Sequence, residues 1–358
     1  MHTHPNSFMR KFILPLILLI SFYSNAQFNN EWIDYSKTYY KFRVGKNGLY
    51  RIPQNTLQAN GLNNIPAQNF QLWRNGEQIS LYTSIASGIL GNNDYLEFYG
   101  IINDGKPDRN LYLDPSYQIN DRVSLETDSS TYFLTYNLTG NNARISSGNN
   151  NVIGNNLAPE PFFMYTEKKD SKTQVSGGYS EFGNKLYSSS YDLGEMISTG
   201  DLYAYYNNIL ATPTFYPYTQ GSNSCTVRIG LGGVTFNTRT VGVKINGNTI
   251  GSVKNLNNFD TKIVQFIQSS SIIPQGKTTI SVIDTCRDPY DRIIVSFVDV
   301  TYPRLFNFDG QNVFEFELPA HNGKYLEISN FNSGNTPPIL YDLTNRQYYV
   351  AVMSNAGL

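Results

Sequence analysis

Four Asn-Gly pairs punctuate runs of alternating apolar and polar residues, and this constrains the chain more tightly than any other feature. Two successive residues at positive φ form the type I′ turn whose twist matches the flanking strands, so each pair predicts a hairpin. Asn47-Gly48 separates Tyr39–Val44 from Leu49–Ile52, and Asn75-Gly76 separates Phe70–Trp73 from Ile79–Tyr82. Asn246-Gly247 separates Val241–Ile245 from Thr249–Val253; Asn322-Gly323, with a longer loop, separates Phe314–Leu318 from Tyr325–Ile328. In the last case Phe314, Phe316 and Leu318 share one face and Glu315 and Glu317 the other, the pattern of a strand with one wet side. Ile293–Val298 is apolar on both faces, as a central covered strand requires. Helix signals are thin. Pro53–Asn60 has Pro53 at the first helical position and Gly61 as its stop, while Ile263, Phe266 and Ile267 have helical spacing inside a β-rich neighbourhood.

The fold expected is therefore mainly β, with few short helices. With 27 Tyr and 21 Phe, and charged residues at only 15%, composition also favours strands and turns. The length exceeds what one core usually organises, so two consecutive β domains are expected. The polar Asn/Gly/Ser tract Gly140–Asn156, followed by Pro159 and Pro161, marks the boundary. Residues 27–158 form the first domain and 159–358 a larger β-sandwich or jelly-roll-like region. Arg10 and Lys11, the apolar run Phe12–Phe22 and Ser24-Asn25-Ala26 predict that residues 1–26 are a secretory signal, too short and too Pro15-interrupted for a membrane span. No later segment is apolar for long enough to cross as a helix, so the expectation is an exported protein at the cell surface, associated with the outer membrane or extracellular. The abrupt end Val350–Leu358, directly after a strand pattern, predicts a truncated chain.

The chain carries 27 Lys+Arg against 28 Asp+Glu, and the signal takes Arg10 and Lys11 with it. Nucleic acid is excluded as a partner, because the remaining adjacent basic pair, Lys168-Lys169, is no clustered basic face. Past the signal the one histidine is His321, in the turn Pro319–Gly323. A dyad with Cys225 or Cys286 is formally available, but a solvated turn explains His321 as well, and zinc lacks ligands for the same reason; no catalytic residue is assigned. Cys225 and Cys286 admit either a disulfide, worth about 4 kcal/mol for a loop of roughly 60 residues, or two separate buried thiols. Asn103, Asp104 and Asp108 surround Gly105 as raw material for a calcium loop, though without the bidentate Glu of an EF-hand, and an ordinary Asx turn uses the same residues. Tyr203, Tyr205, Tyr206, Phe215, Tyr216 and Tyr218 could line a sugar-stacking or protein-binding platform, or fill a core. Gly230–Gly233 lacks the Lys-Ser/Thr of a phosphate loop.

Several segments, taken in order, resemble the non-catalytic N-terminal part of PorU-type sortases of the type IX secretion system, members of the gingipain-like C25 cysteine peptidases. The carriers are Asn47–Pro53, Phe70–Gly76, Leu96–Gly100 with Asn103-Asp104-Gly105, Ser124-Leu125 with Thr131–Leu134, Val298–Arg304 and Ile339–Asn345. The resemblance implies a role in secretion across the outer membrane and surface attachment of cargo, with secretion-system or cell-surface proteins as partners. The family's peptidase chemistry resides in a caspase-like α/β domain with Cys and a His usually followed by Gly. Here His321 is followed by Asn322 and no βαβ alternation is seen, so that domain is expected to be missing and the chain inactive alone. A free-standing adhesin or glycan-binding sandwich is the alternative reading, and a cargo protein of the same pathway a weaker third.

Overall fold

The computed structural model describes residues 30–140, 142–177, 191–320 and 323–353, so the expected signal segment, His321 and Asn322 of the fourth expected turn lie outside the described residues. The protein is mainly β. Its first part contains β1 (Tyr40–Val44), β2 (Gly48–Pro53), β3 (Phe70–Arg74), β4 (Glu77–Ile79), β5 (Tyr82–Thr83), β6 (Tyr95–Gly100), β7 (Ser130–Tyr136) and the short β8 (Ser146–Ser147). The first seven form two small sheets, ordered β1-β7-β3-β4 and β2-β6-β5. Val44, Phe70, Leu72, Leu81, Leu96, Phe98, Tyr132 and Leu134 fill the core of this part.

The turn at Asn75-Gly76 is the predicted hairpin, with φ of 49° and 82° and Arg74 paired to Glu77. Asn47-Gly48 is a correction: β1 pairs with β7 and β2 with β6, so the two strands belong to different sheets. The Asn47 side chain accepts the Ile102 N–H instead, and the chain turns a corner so that both strands place residues in one core. The helix runs Gln54–Ala59, buries Leu57 and stops at Gly61, whose φ is 74°; Pro53 sits one place earlier than expected, as the N-cap.

The second part is a sandwich. Its strands are β9 (Phe163–Asp170), β10 (Gln174–Gly177), β11 (Glu195–Ser198), β12 (Leu202–Tyr203), β13 (Asn208–Ala211), β14 (Thr214–Phe215), β15 (Ser224–Gly233), β16 (Thr238–Ile245), β17 (Asn248–Asn257), β18 (Thr261–Ser269), β19 (Gly276–Lys277), β20 (Ile280–Asp284) and β21 (Arg292–Arg304). One sheet is ordered β12-β21-β15-β18, with β9 also on β21; the other is β13-β20-β16-β17. Between them lie Val227, Ile229, Leu231, Val241, Val243, Val282, Val295 and Val300. The two-faced apolar run Ile293–Val298 is the buried middle of β21, and Asn246-Gly247 makes the β16–β17 hairpin at φ of 47° and 83°. Ile263, Phe266 and Ile267 are in β18, where pairing along the whole of β15 overrides their helical spacing.

Phe314, Phe316 and Leu318 do face a core of Phe163, Phe306 and Phe308 while Glu315 and Glu317 are exposed, but this stretch joins no ladder. Alternation specifies which way side chains point in an extended chain and not which strand it pairs with. The last hairpin, β22 (Ile339–Asp342) and β23 (Gln347–Val350), returns to the first part of the molecule, where β23 pairs in parallel with β8. Arg51 and Tyr341 both hold Glu97 there, which puts the last carrier of the resemblance against two of the first. Arg122 ties the two parts in the other direction, forking onto Asp170 and Asp299. Among the described residues no helix is long and apolar enough to cross a membrane.

Candidate binding surface at one end of the sandwich

Four connections cross between the two sheets at a single end: residues 204–207, 234–237, 258–260 and 285–291. Polar turn residues dominate them, and of the aromatics they carry only Phe259 is buried. Tyr203, Tyr205, Tyr206, Phe236 and Tyr290 are 45% to 77% exposed. Phe236 leans edge-on against the buried Phe259, leaving its outer side free of the core.

Asp291 ties three of these loops together. Its backbone carbonyl accepts the Ala204 N–H at 3.0 Å, placing Tyr203 and Tyr205 on either side of the bond and Tyr290 next to it in the chain. Its carboxylate accepts the Thr235 hydroxyl, fixing the loop of Phe236, and Asn237 at 3.2 Å. Beneath, Arg239 approaches in a fork, Nε at 2.7 Å and Nη2 at 2.8 Å, while its remaining donors reach the Asn258 and Thr235 carbonyls. Arg239 is 2% and Asp291 0% exposed, so the pair is a dry, fully hydrogen-bonded anchor.

Gly233 explains part of the glycine run. A Cβ there would collide with the Arg239 guanidinium and the Asn258 carbonyl, so the backbone of β15 must be bare for the arginine to enter. Tyr205 is held at φ 64°, a left-handed conformation costing a non-glycine residue about 1 kcal/mol, and its N–H donates to the Asp284 carbonyl at 2.9 Å.

Asp284 is the second buried acid. Its Oδ1 accepts the Cys286 N–H at 2.9 Å, and Oδ2 is buried and meets no donor. Burial pushes its carboxyl well up, and the neighbouring Asp291 adds to the rise. Burial alone would raise Asp291 too, but hydrogen bonds from Arg239 and Thr235, with the neighbouring Asp284 acting in the same direction, hold it well below the usual carboxylate range. One guanidinium thus lies near two buried carboxyls whose proton affinities are pushed apart, that of Asp284 upward and that of Asp291 downward.

The six rings read from the sequence divide. Tyr203, Tyr205 and Tyr206 are on the loop end, whereas Phe215 is in the core against Tyr302. Tyr216 donates to Asp309 under Arg304, and Tyr218 stacks on Phe162 at 4.8 Å. Phe236 and Tyr290 were missed; their signal was an isolated ring inside a polar turn, in Thr235-Phe236-Asn237 and Asp288-Pro289-Tyr290-Asp291.

The thiols stay apart. Both are free and buried, Cys225 beside the Ser269 carbonyl and Cys286 beside that of Thr238. Those contacts lie at opposite ends of the sandwich, on the order of 25 Å apart at ~3.3 Å per residue along β15, far beyond disulfide reach. Burial raises both thiol pKa values, which disfavours the nucleophilic thiolate. Asn103, Asp104 and Asp108 go to different partners: the Thr127 carbonyl, Lys106, and Ser124 with the Leu125 N–H. Among the described residues no three His, Cys, Asp or Glu side chains gather as metal ligands.

No protein-family model and no curated protein matches the chain. Among solved structures it is similar to dimeric latent PorU from Porphyromonas gingivalis, with 11% identity and a TM-score of 0.47 over 76% of this chain and 25% of that one. The chain thus spans about a quarter of that protein's length. It is also similar to the CBM36-1 domain of a multidomain xylanase from the hindgut metagenome of Trinervitermes trinervoides, with 14% identity and a TM-score of 0.24 over 38% of this chain and 96% of that one. A family 35 carbohydrate-binding module from Clostridium thermocellum gives 14% identity and a TM-score of 0.22 over 38% and 97%.

Proposed function

We propose that this chain is an exported binding region without peptidase chemistry of its own, and that the ring-bearing end of its sandwich takes a carbohydrate chain at the cell surface. The observation carrying this reading is the set of exposed rings on three loops fixed to one buried residue, Asp291. Exposed rings would normally be mobile. Here the loops are pre-organised, which lowers the ordering cost of binding. Tyrosine adds a hydroxyl to a flat apolar face, and sugars offer both C–H faces and hydroxyls. Buried thiols with raised pKa values support the non-catalytic part of the reading.

Affinity electrophoresis of the purified chain through gels containing neutral polysaccharides (xylan, mannan, β-glucan) tests it. Retardation is expected, with Tyr206→Ala and Tyr290→Ala each weakening it about two- to tenfold, as loss of one stacked ring implies. Free migration in every gel, or retardation indifferent to both substitutions, would remove the reading.

A second reading concerns the framework and is favoured by where the carriers of the resemblance meet. Arg51, Glu97 and Tyr341, from three separated carriers, form one cluster. It supports a PorU-type N-terminal scaffold in a type IX secretion pathway, contacting secretion-system or surface proteins. Sequencing the locus past the Leu358 codon checks it: a caspase-like coding segment is expected, and its absence would count against the scaffold reading alone.

A further inference from the structure

We infer that the loop end is proton-controlled: the Asp284–Asp291 pair holds one proton that keeps the ring-bearing loops in place, and losing it releases them. The inference rests on the binding reading above and adds its regulation. Its basis is charge and connectivity. Charged and hydrogen-bonding groups reach Asp284 and Asp291 from β16 and from three of the loops. From β16 comes Arg239, whose donors are taken by Asp291, Asn258 and Thr235. From the 285–291 loop come Asp291, the Cys286 N–H with its buried thiol, and Asp288, which accepts from Asn237. The 258–260 loop contributes the Asn258 carbonyl to Arg239, and the 204–207 loop the Tyr205 N–H to the Asp284 carbonyl.

No cation in that set answers a second negative charge. Asp284 Oδ2, buried and without a donor of its own, must therefore carry the proton toward Asp291 while the anchor is intact. When solvent base removes that proton, two buried carboxylates share one guanidinium and repel. Both backbone bonds that position the tyrosine loop end on these two residues, Ala204 to Asp291 and Tyr205 to Asp284. Separation of the acids therefore loosens Tyr203, Tyr205 and Tyr206 together. Mildly acidic surroundings favour binding, and alkaline ones weaken it.

Two measurements test this, and only the second needs a ligand. The first follows the Asp284 side-chain carboxyl by carbon NMR and the exchange protection of the Ala204 and Tyr205 amides from about pH 5.5 to about pH 8.5. Expected is titration near neutrality, with protection factors falling about tenfold or more in step with it. The variant Asp284→Asn keeps a donor toward Asp291 and should hold its protection across the range. A carboxyl already ionised at the acid end, or protection unchanged while it titrates, overturns the inference from the wild-type chain alone, even if the variant does not fold. The second repeats the polysaccharide gels at both pH extremes. Binding at both pH values with equal strength sinks the proton control and leaves the binding reading standing. Binding at neither, with the NMR result as expected, sinks the binding reading and leaves the proton-controlled loops.

Discussion

Arg239 is buried, neutralises Asp291 and reaches the Asn258 and Thr235 carbonyls, so it supports the loop end from beneath. Arg239→Met should cost about 3–5 kcal/mol, the penalty for stranding a buried charge, readable as a shift in the urea midpoint. Gly233→Ala should also destabilise, by about 1–3 kcal/mol, since the methyl would have to displace Arg239 or the Asn258 carbonyl. The pH dependence has a definite sign. Asp284 is pushed up to about 7 by burial and by Asp291, so it binds a proton in the folded state where the unfolded carboxyl has lost one. Its contribution is complete below about pH 4 and is lost as pH rises through neutrality. Thermal melts should therefore show the wild type losing stability from mildly acidic to alkaline pH and Asp284→Asn losing less. None of this was visible from residue types. Arg239 lies 45 residues before Asp284 and 52 before Asp291 and none of the three belonged to a motif, whereas Tyr203, Tyr205 and Tyr206 stood out by clustering.

At the level of elements, turn chemistry worked where the turn itself decided the pairing. Asn75-Gly76 and Asn246-Gly247 take the two positive φ values of the predicted hairpin. Gly247→Ala should cost about 1 kcal/mol for that reason, measured by denaturant unfolding. At Asn47 the same dipeptide joins strands of two different sheets, because the strands on either side find better partners in β7 and β6. The terminal hairpin is held by tertiary contacts of the same kind. Its Tyr341 hydroxyl donates to the buried Glu97, and Tyr82 meets the Tyr341 and Tyr348 rings edge-on. Tyr341→Phe leaves one Glu97 oxygen without that donor, so about 1–3 kcal/mol is lost locally. Faster limited proteolysis within residues 336–346, with the sandwich still intact, is the expected result.

The first part and the sandwich are coupled by reciprocal exchange, with the last hairpin lying on the first part and Arg122 of the first part anchored in the sandwich. Arg122 also lies over the Phe297 ring at 5.0 Å. If this clasp couples the cores, Arg122→Ala should split one calorimetric unfolding transition into two, and a single unchanged transition would show that the cores are coupled elsewhere.

What the residues determined by themselves was local: the dominance of strands, the inward and outward faces of Phe314–Leu318, the burial of Ile293–Val298 and the stop at Gly61. Each depends on a period of two or on one residue's allowed φ, and neighbours in the chain suffice to express it. Tertiary structure alone decided that β1 and β2 part company, that the two cysteines lie at opposite ends, and that five exposed rings come to the end of the sandwich where Arg239 and Asp291 are buried. Those outcomes depend on which surfaces become dry together. Desolvation acts between segments distant in sequence, and no local pattern records it.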